Sequence, residues 1–179
     1  TASIRYAERI QRAMLPMEDP FPDTFVFYLP KDIVSGDFYW MYSTGDLQFI
    51  AACDCTGHGV PGAFMSIIGH NSLDKVVKEY GIIHPGEILD KLNEEVGKAL
   101  KQRNEETIND GMDLALAVID RKRYLLEFAG AFNPLYIVSD GQLSVYKGDR
   151  FPIGMSTQLE EKTFISQLTN LVPGKIYYI

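Results

Sequence analysis

Cysteine is almost missing from this chain of 179 residues, with Cys53 and Cys55 the only two. That is too few partners for a disulfide framework or a zinc cluster. Their one-residue spacing sends both side chains to one face of a strand, so they read as small core residues. Such residues fit a reducing compartment, and a cytoplasmic location is expected. Long apolar runs are lacking too: nothing approaches the ~20 residues that cross a bilayer, and no N-terminal secretion signal is visible. Positive charge is scarce, with 17 Lys and Arg against 24 Asp and Glu, a formal net charge of −7. The charges are scattered rather than blocked. No basic face is available to meet phosphates, so no nucleic-acid partner and no direct membrane contact is expected. Repeats and low-complexity tracts are absent. What remains, 46% hydrophobic and 12% aromatic, is the composition of one folded domain of ordinary size. The chain opens Thr1-Ala2-Ser3 without a methionine, so it is expected to be a piece of something longer.

The stretch that carries chemistry runs from Asp54 to Ser66, D-C-T-G-H-G-V-P-G-A-F-M-S. An acid ends the apolar run Phe49-Ile50-Ala51-Ala52-Cys53, which reads as a buried strand. Gly57, Gly59 and Gly62 follow, and then an amphipathic helix. A carboxylate at a strand end, a glycine-rich turn and a helix N-terminus together suit a hard cation or a phosphate. A second acid stands in a similar setting upstream, in Ser35-Gly36-Asp37-Phe38-Tyr39-Trp40. Asp beside Gly is also ordinary turn chemistry. Two carboxylates delivered from hairpin-connected strands, however, reach one sheet edge and can share metal ions.

The pattern S-G-D-F-Y-W followed by D-C-T-G-H-G-V-P-G-A-F-M-S resembles the SpoIIE/RsbU-like branch of the metal-dependent, type-2C-like serine/threonine protein phosphatases. The resemblance implies an αββα sandwich of two antiparallel sheets in an α+β fold, incomplete at the C-terminus. It implies Mn2+ or Mg2+ as cofactor, two ions per complete site, with Asp37 as the first metal acid and Asp54 as the acid bridging both. The backbone carbonyl of Cys55 takes the place of the family's main-chain ligand. Gly57 and Gly59 shape the turn around His58, which either touches water or phosphate at the site or is a turn histidine bonded to backbone. Asp113, an acid in the apolar run Met112–Ala117, either faces the metal cleft or is satisfied at a strand start. Lys31 either meets the substrate phosphate or is an exposed lysine before a strand. Ala129-Gly130-Ala131-Phe132-Asn133-Pro134 resembles the family's Ala-Gly-His-Asn-Pro stretch with the histidine replaced, and Asn133 reads as a turn former. The family's later Ser-Asp-Gly and a further metal acid are not present in these 179 residues. The chain as it stands is therefore expected to be a weak or inactive phosphatase.

In order, periodicity predicts a helix over 3–15 with Ile4, Ala7, Ile10, Ala13 and Met14 inward, ended by Pro16. The segment 1–16 is expected to be a linker or regulatory helix and 17–179 the catalytic domain. Met17 to Asp23 reads as a connector, and strands are expected at 25–29, 33–42 and 47–53. Helices are expected at 63–80 and 86–101, packed on one outer face, and Gln102 to Asp110 is a polar loop. Further strands are expected at 112–120, 124–131, 135–138, 142–146, 162–168 and from 174 onward. By resemblance the substrate is a phosphorylated regulatory protein, such as an anti-sigma-factor antagonist, and a sensor domain lies upstream. The alternatives are a phosphatase-like binding module without turnover, or a dimerisation domain. An unpaired strand edge makes a homodimer a further expectation.

Overall fold

The computed structural model describes residues 2–16, 21–101, 110–154 and 162–179. Helix α1 (Ala2–Met14) is followed by an irregular segment, then by the hairpin β1 (Phe38–Thr44) and β2 (Leu47–Cys55). Helix α2 (Gly59–Asp74) and helix α3 (Pro85–Lys101) come next, then β3 (Met112–Asp120), β4 (Leu125–Ala131), β5 (Leu135–Ser139), β6 (Gln142–Tyr146), β7 (Gln167–Asn170) and β8 (Ile176–Tyr178). Two sheets result, one ordered β1-β2-β3-β4-β7 and one ordered β6-β5-β8. Every neighbouring pair of strands is antiparallel.

The alternation of the strands dictates the layers. On the first sheet, Trp40, Phe49, Ala51, Cys53, Leu114, Leu116 and Ala129 point one way and meet Met65, Leu73, Ile88, Leu89, Leu92 and Val96 of the helices. The opposite face, with Ala115, Ala117, Leu126 and Phe128, packs on Leu135 and Ile137 of the second sheet. Helices, sheet and sheet are thus stacked in that order, which agrees with the expected α+β sandwich. α2 continues into a π-helical turn at Lys75–Glu79, where the Tyr80 N–H reaches back to the Lys75 carbonyl. Val76 and Val77, both in that turn, are buried.

Several boundaries differ from expectation. Residues 25–29 alternate as a strand should, but no partner strand runs beside them among the described residues. Phe25, Phe27 and Leu29 are left 73%, 86% and 80% exposed. β1 begins at Phe38 rather than 33, so Asp37 stands just before the strand and not on it. The strand expected over 162–168 begins at Gln167, and α2 begins at Gly59, four residues early. On α1 the buried position is Gln11, while Ile10 is 45% exposed. The Gln102–Asp110 loop and the Met17–Asp23 connector lie mostly outside the described residues.

Candidate metal centre

Antiparallel pairing brings the ends of three segments to one edge of the first sheet. Phe38 pairs with Cys53, so Asp37, one residue earlier, lies beside the C-terminal end of β2, where Asp54 and Cys55 sit. Asp54 in turn faces Asp113 directly across the β2–β3 ladder. Like charges opposite one another in a ladder are unfavourable, so a sheet edge with three acids is arranged at a cost. Thr56 locks the corner: its N–H and its hydroxyl both donate to the Gly111 carbonyl, at 2.9 Å each.

A close approach of three backbone segments sets where Asp37 emerges. A Cβ on Gly36 would lie 2.8 Å from the Gly57 carbonyl oxygen and 3.2 Å from that of Cys55. A Cβ on Gly62 would meet the same Gly57 oxygen at 2.7 Å and the Gly36 Cα at 2.9 Å. The loop before β1, the turn after β2 and the first turn of α2 therefore touch backbone to backbone. The Gly57 turn reaches this geometry with φ at 87°, and Gly59 enters the helix at φ 64°.

The acids respond electrostatically. Partial burial, then the charge of Asp54 and a hydrogen bond with it, push the Asp37 carboxyl up from the ordinary 3.8 to about 6. Asp113 is also raised, by burial first and by the Asp54 charge second. Cys53 and Cys55 are buried and free. Burial, reinforced by nearby negative charge, pushes both thiols up, so they stay protonated and unreactive.

The remaining expected residues divide. His58 caps α2 by position without a side-chain cap bond, and its Nδ1 lies 3.3 Å from an Asp32 carboxylate oxygen. Asp32 was not singled out in the sequence, because nothing local marks it. Lys31 is exposed in the loop before β1 and makes no hydrogen bond or ion pair to the acids among the described residues. Asn133 follows Phe132 at φ 61° and donates its N–H to the Ala131 carbonyl, a turn former as expected. His84 pairs with Glu127 at 3.0 Å, far along the sheet from the acids.

Two carboxylates with hard oxygen donors, beside a cradle of backbone carbonyls that a Cβ would fill, suit magnesium or manganese in donor type. The mutual repulsion of Asp37 and Asp54 is what a divalent ion would relieve. Among the described residues no group of three or more His, Cys, Asp or Glu side chains is gathered closely enough to hold an ion. The fit is thus that of a carboxylate pair supplemented by main-chain oxygens and water.

The family model described as stage II sporulation protein E (SpoIIE) matches residues 44–176. The SiaA-PP2C domain of Pseudomonas aeruginosa is similar at 32% identity and a TM-score of 0.85, over 98% of this chain and 69% of that one. The PP2C phosphatase domain of SpoIIE from Bacillus subtilis, solved with a fragment of its regulatory domain, is 24% identical with a TM-score of 0.61, over 79% of this chain and 39% of that one. RsbX, solved in complex with magnesium, is 14% identical with a TM-score of 0.57, over 80% of this chain and 64% of that one. The last two bear on the fold alone. No curated protein matches the chain significantly. The helix–sheet–sheet order, the acidic edge and these likenesses agree: the chain belongs to the SpoIIE family and is a SpoIIE/RsbU-like PP2C-type phosphatase domain.

Proposed function

We propose that this domain dephosphorylates phosphoserine or phosphothreonine on a regulatory protein in bacterial signalling, with Mn2+ or Mg2+ held at the Asp37/Asp54 edge. The observation that carries the reading is the convergence of Asp37 and Asp54 on one glycine-lined corner, with charge repulsion left standing between them. Asp37, Asp54 and the Cys55 carbonyl would hold the ions, and Asp113 would orient or assist from the neighbouring strand. Divalent ions supply Lewis acidity, which makes hydroxide available near neutral pH and offsets the charge of the transferring phosphoryl group. The chain's own share is geometric and electrostatic. Asp54 is fixed by ladder pairing, Asp37 by the Gly36–Gly57–Gly62 junction, and the Gly57–Gly59 turn opens the N-terminus of α2 toward an anion. Neither cysteine thiol takes part, since both are buried and protonated.

The substrate reading extends to an anti-sigma-factor antagonist, in the cytoplasm, with residues 1–16 as a linker from an upstream sensor. A second reading, a phosphatase-like binding module, is favoured by one observation: among the described residues no three acidic or ligating side chains come close enough together to hold an ion. The deciding assay is Mn2+-dependent hydrolysis of an aryl phosphate and of a phosphoserine peptide. Slow but Mn2+-dependent turnover, abolished in Asp54→Asn with an unchanged circular dichroism spectrum, is expected. Full activity in that variant would overturn the assignment, and no turnover by the wild type would favour the binding module.

A further inference from the structure

Helix α1 buries one described residue, and that residue is a glutamine. Gln11 is 7% exposed, and its side-chain amide makes three hydrogen bonds. The Nε2 amide donates to the Ser35 carbonyl at 2.5 Å and to the Ser66 hydroxyl of α2 at 2.8 Å. The Oε1 atom accepts the Ser35 N–H at 2.9 Å. Both main-chain groups of Ser35 are thus paired with one side chain from 24 residues away, as a neighbouring strand would pair them. Ser66 passes the chain of bonds on, its hydroxyl donating to the Ala63 carbonyl at 2.8 Å.

The pairing matters because of what Ser35 precedes. The loop from Lys31 to Gly36 has no regular structure, yet Val34 and Ser35 are buried, and buried main-chain groups must find partners. On one side Gly36 is wedged against the Gly57 and Cys55 carbonyls; on the other, Gln11 holds Ser35. Asp37 follows immediately, and Phe38 is already registered against Cys53. The carboxylate of Asp37 is therefore suspended between a ladder on its C-terminal side and the Gln11 amide on its N-terminal side.

We propose that Gln11 is a positioning residue for the metal site, holding the Ser35–Asp37 segment so that Asp37 meets Asp54 at the glycine junction. The proposal rests on the metal-site reading above and adds a residue on α1 to it. The position of α1 and the placement of Asp37 are then mechanically one. An apolar residue at 11 would still bury, but it would leave the Ser35 N–H and carbonyl without partners in a closed corner, and the segment would move to satisfy them.

The test titrates Mn2+ alone into the full chain by calorimetry, at a temperature where circular dichroism shows every variant folded. Gln11→Leu should weaken Mn2+ binding at least tenfold, in the range seen when outer partners of metal ligands are removed. Gln11→Glu keeps the acceptor for the Ser35 N–H and loses both donors, and it should fall between Leu and wild type. Ser66→Ala, which cuts only the α2 branch, should stay within about twofold of wild type if Ser35 is the branch that matters. Amide exchange should show protection lost at Ser35 in Gln11→Leu while the α2 core keeps its protection. If Gln11→Leu does not fold, the Glu and Ser66 variants carry the same comparison. Wild-type affinity in a folded Gln11→Leu or Gln11→Glu chain would reduce the residue to a helix dock and overturn the proposal. So would Ser66→Ala losing as much affinity as Gln11→Leu. Failure of the wild type itself to bind Mn2+ would instead refute the metal-site reading, and this inference with it.

Discussion

Asp37→Asn should make the metal-free protein more stable at neutral pH while removing its response to manganese. The sign follows from the raised carboxyl. A proton leaves an ordinary aspartate near 3.8 but stays on Asp37 to about 6 in the folded chain. The folded state therefore binds that proton more tightly than the unfolded one, and stability falls as pH rises from about 4 through about 6. Below that window wild type and variant should coincide; above it the wild type alone carries the repulsion from Asp54. Taken at face value the displacement corresponds to a ceiling of roughly 3 kcal/mol. Asp37 is solvent-exposed, and water screens most of this, leaving about 1 kcal/mol. For a domain of this size that is a rise in Tm of about 2–4 °C. The assay is a thermal melt in chelator at pH 4, 6 and 7.5, repeated with excess Mn2+. Wild type should gain stability with Mn2+ at pH 7.5 and little at pH 4, and the variant should gain none at either. A variant less stable than wild type in chelator at pH 7.5, or one with an undiminished Mn2+ shift, would refute the reasoning.

Three further outcomes follow from geometry already described. Gly62→Ala places a Cβ 2.7 Å from the Gly57 carbonyl oxygen and should cost about 2–3 kcal/mol in urea unfolding, since both contacts are backbone and neither side yields easily. His84 is raised by its hydrogen bond and charge interaction with Glu127, so the pair stabilises below the ordinary histidine range and the benefit fades as pH climbs through the raised value. His84→Gln should therefore lower stability at pH 6 by less than about 1 kcal/mol, the exposed-pair range, and match wild type by pH 9 in the same melts. Cys53 and Cys55 should resist an aromatic disulfide reagent at pH 8 in the native chain, and both should react once guanidinium unfolds it.

Much of this molecule is legible in the sequence because strand alternation and helical period are local. The bounds of β3 and β6 are those expected, whereas the pairing that sets Asp54 opposite Asp113 joins strands separated by two helices and is not readable from either segment. Asp37 is marked in the sequence by its Ser-Gly-Asp context, although it precedes the strand on which it is expected. What the pattern missed is long-range and polar. Gln11 lies on the same helical stripe as Ile4, Ala7 and Met14, but polarity argued for placing Ile10 inward instead, and nothing local announces a partner at Ser35. The row Phe25, Phe27, Leu29 has the period of a strand and no strand beside it among the described residues. Alternation reports how a segment is built, not whether a neighbour reaches it. The π-helical turn at Lys75–Glu79 was likewise invisible, because it changes hydrogen bonding without breaking the apolar stripe.

The two sheets are held very unequally. The five-stranded sheet is clamped by both helices through a core rich in fully buried aromatics and leucines, with Trp40, Phe49, Leu114 and Leu116 at its centre. The three-stranded sheet touches it mainly through Leu135 and Ile137, and on β6 Leu143 and Val145 are exposed. Cooperative unfolding units tend to divide where buried contact is thinnest. The outer sheet is therefore expected to open at a free energy below that of global unfolding, while the hairpin bearing Asp54, anchored on the thick side, is expected to stay closed.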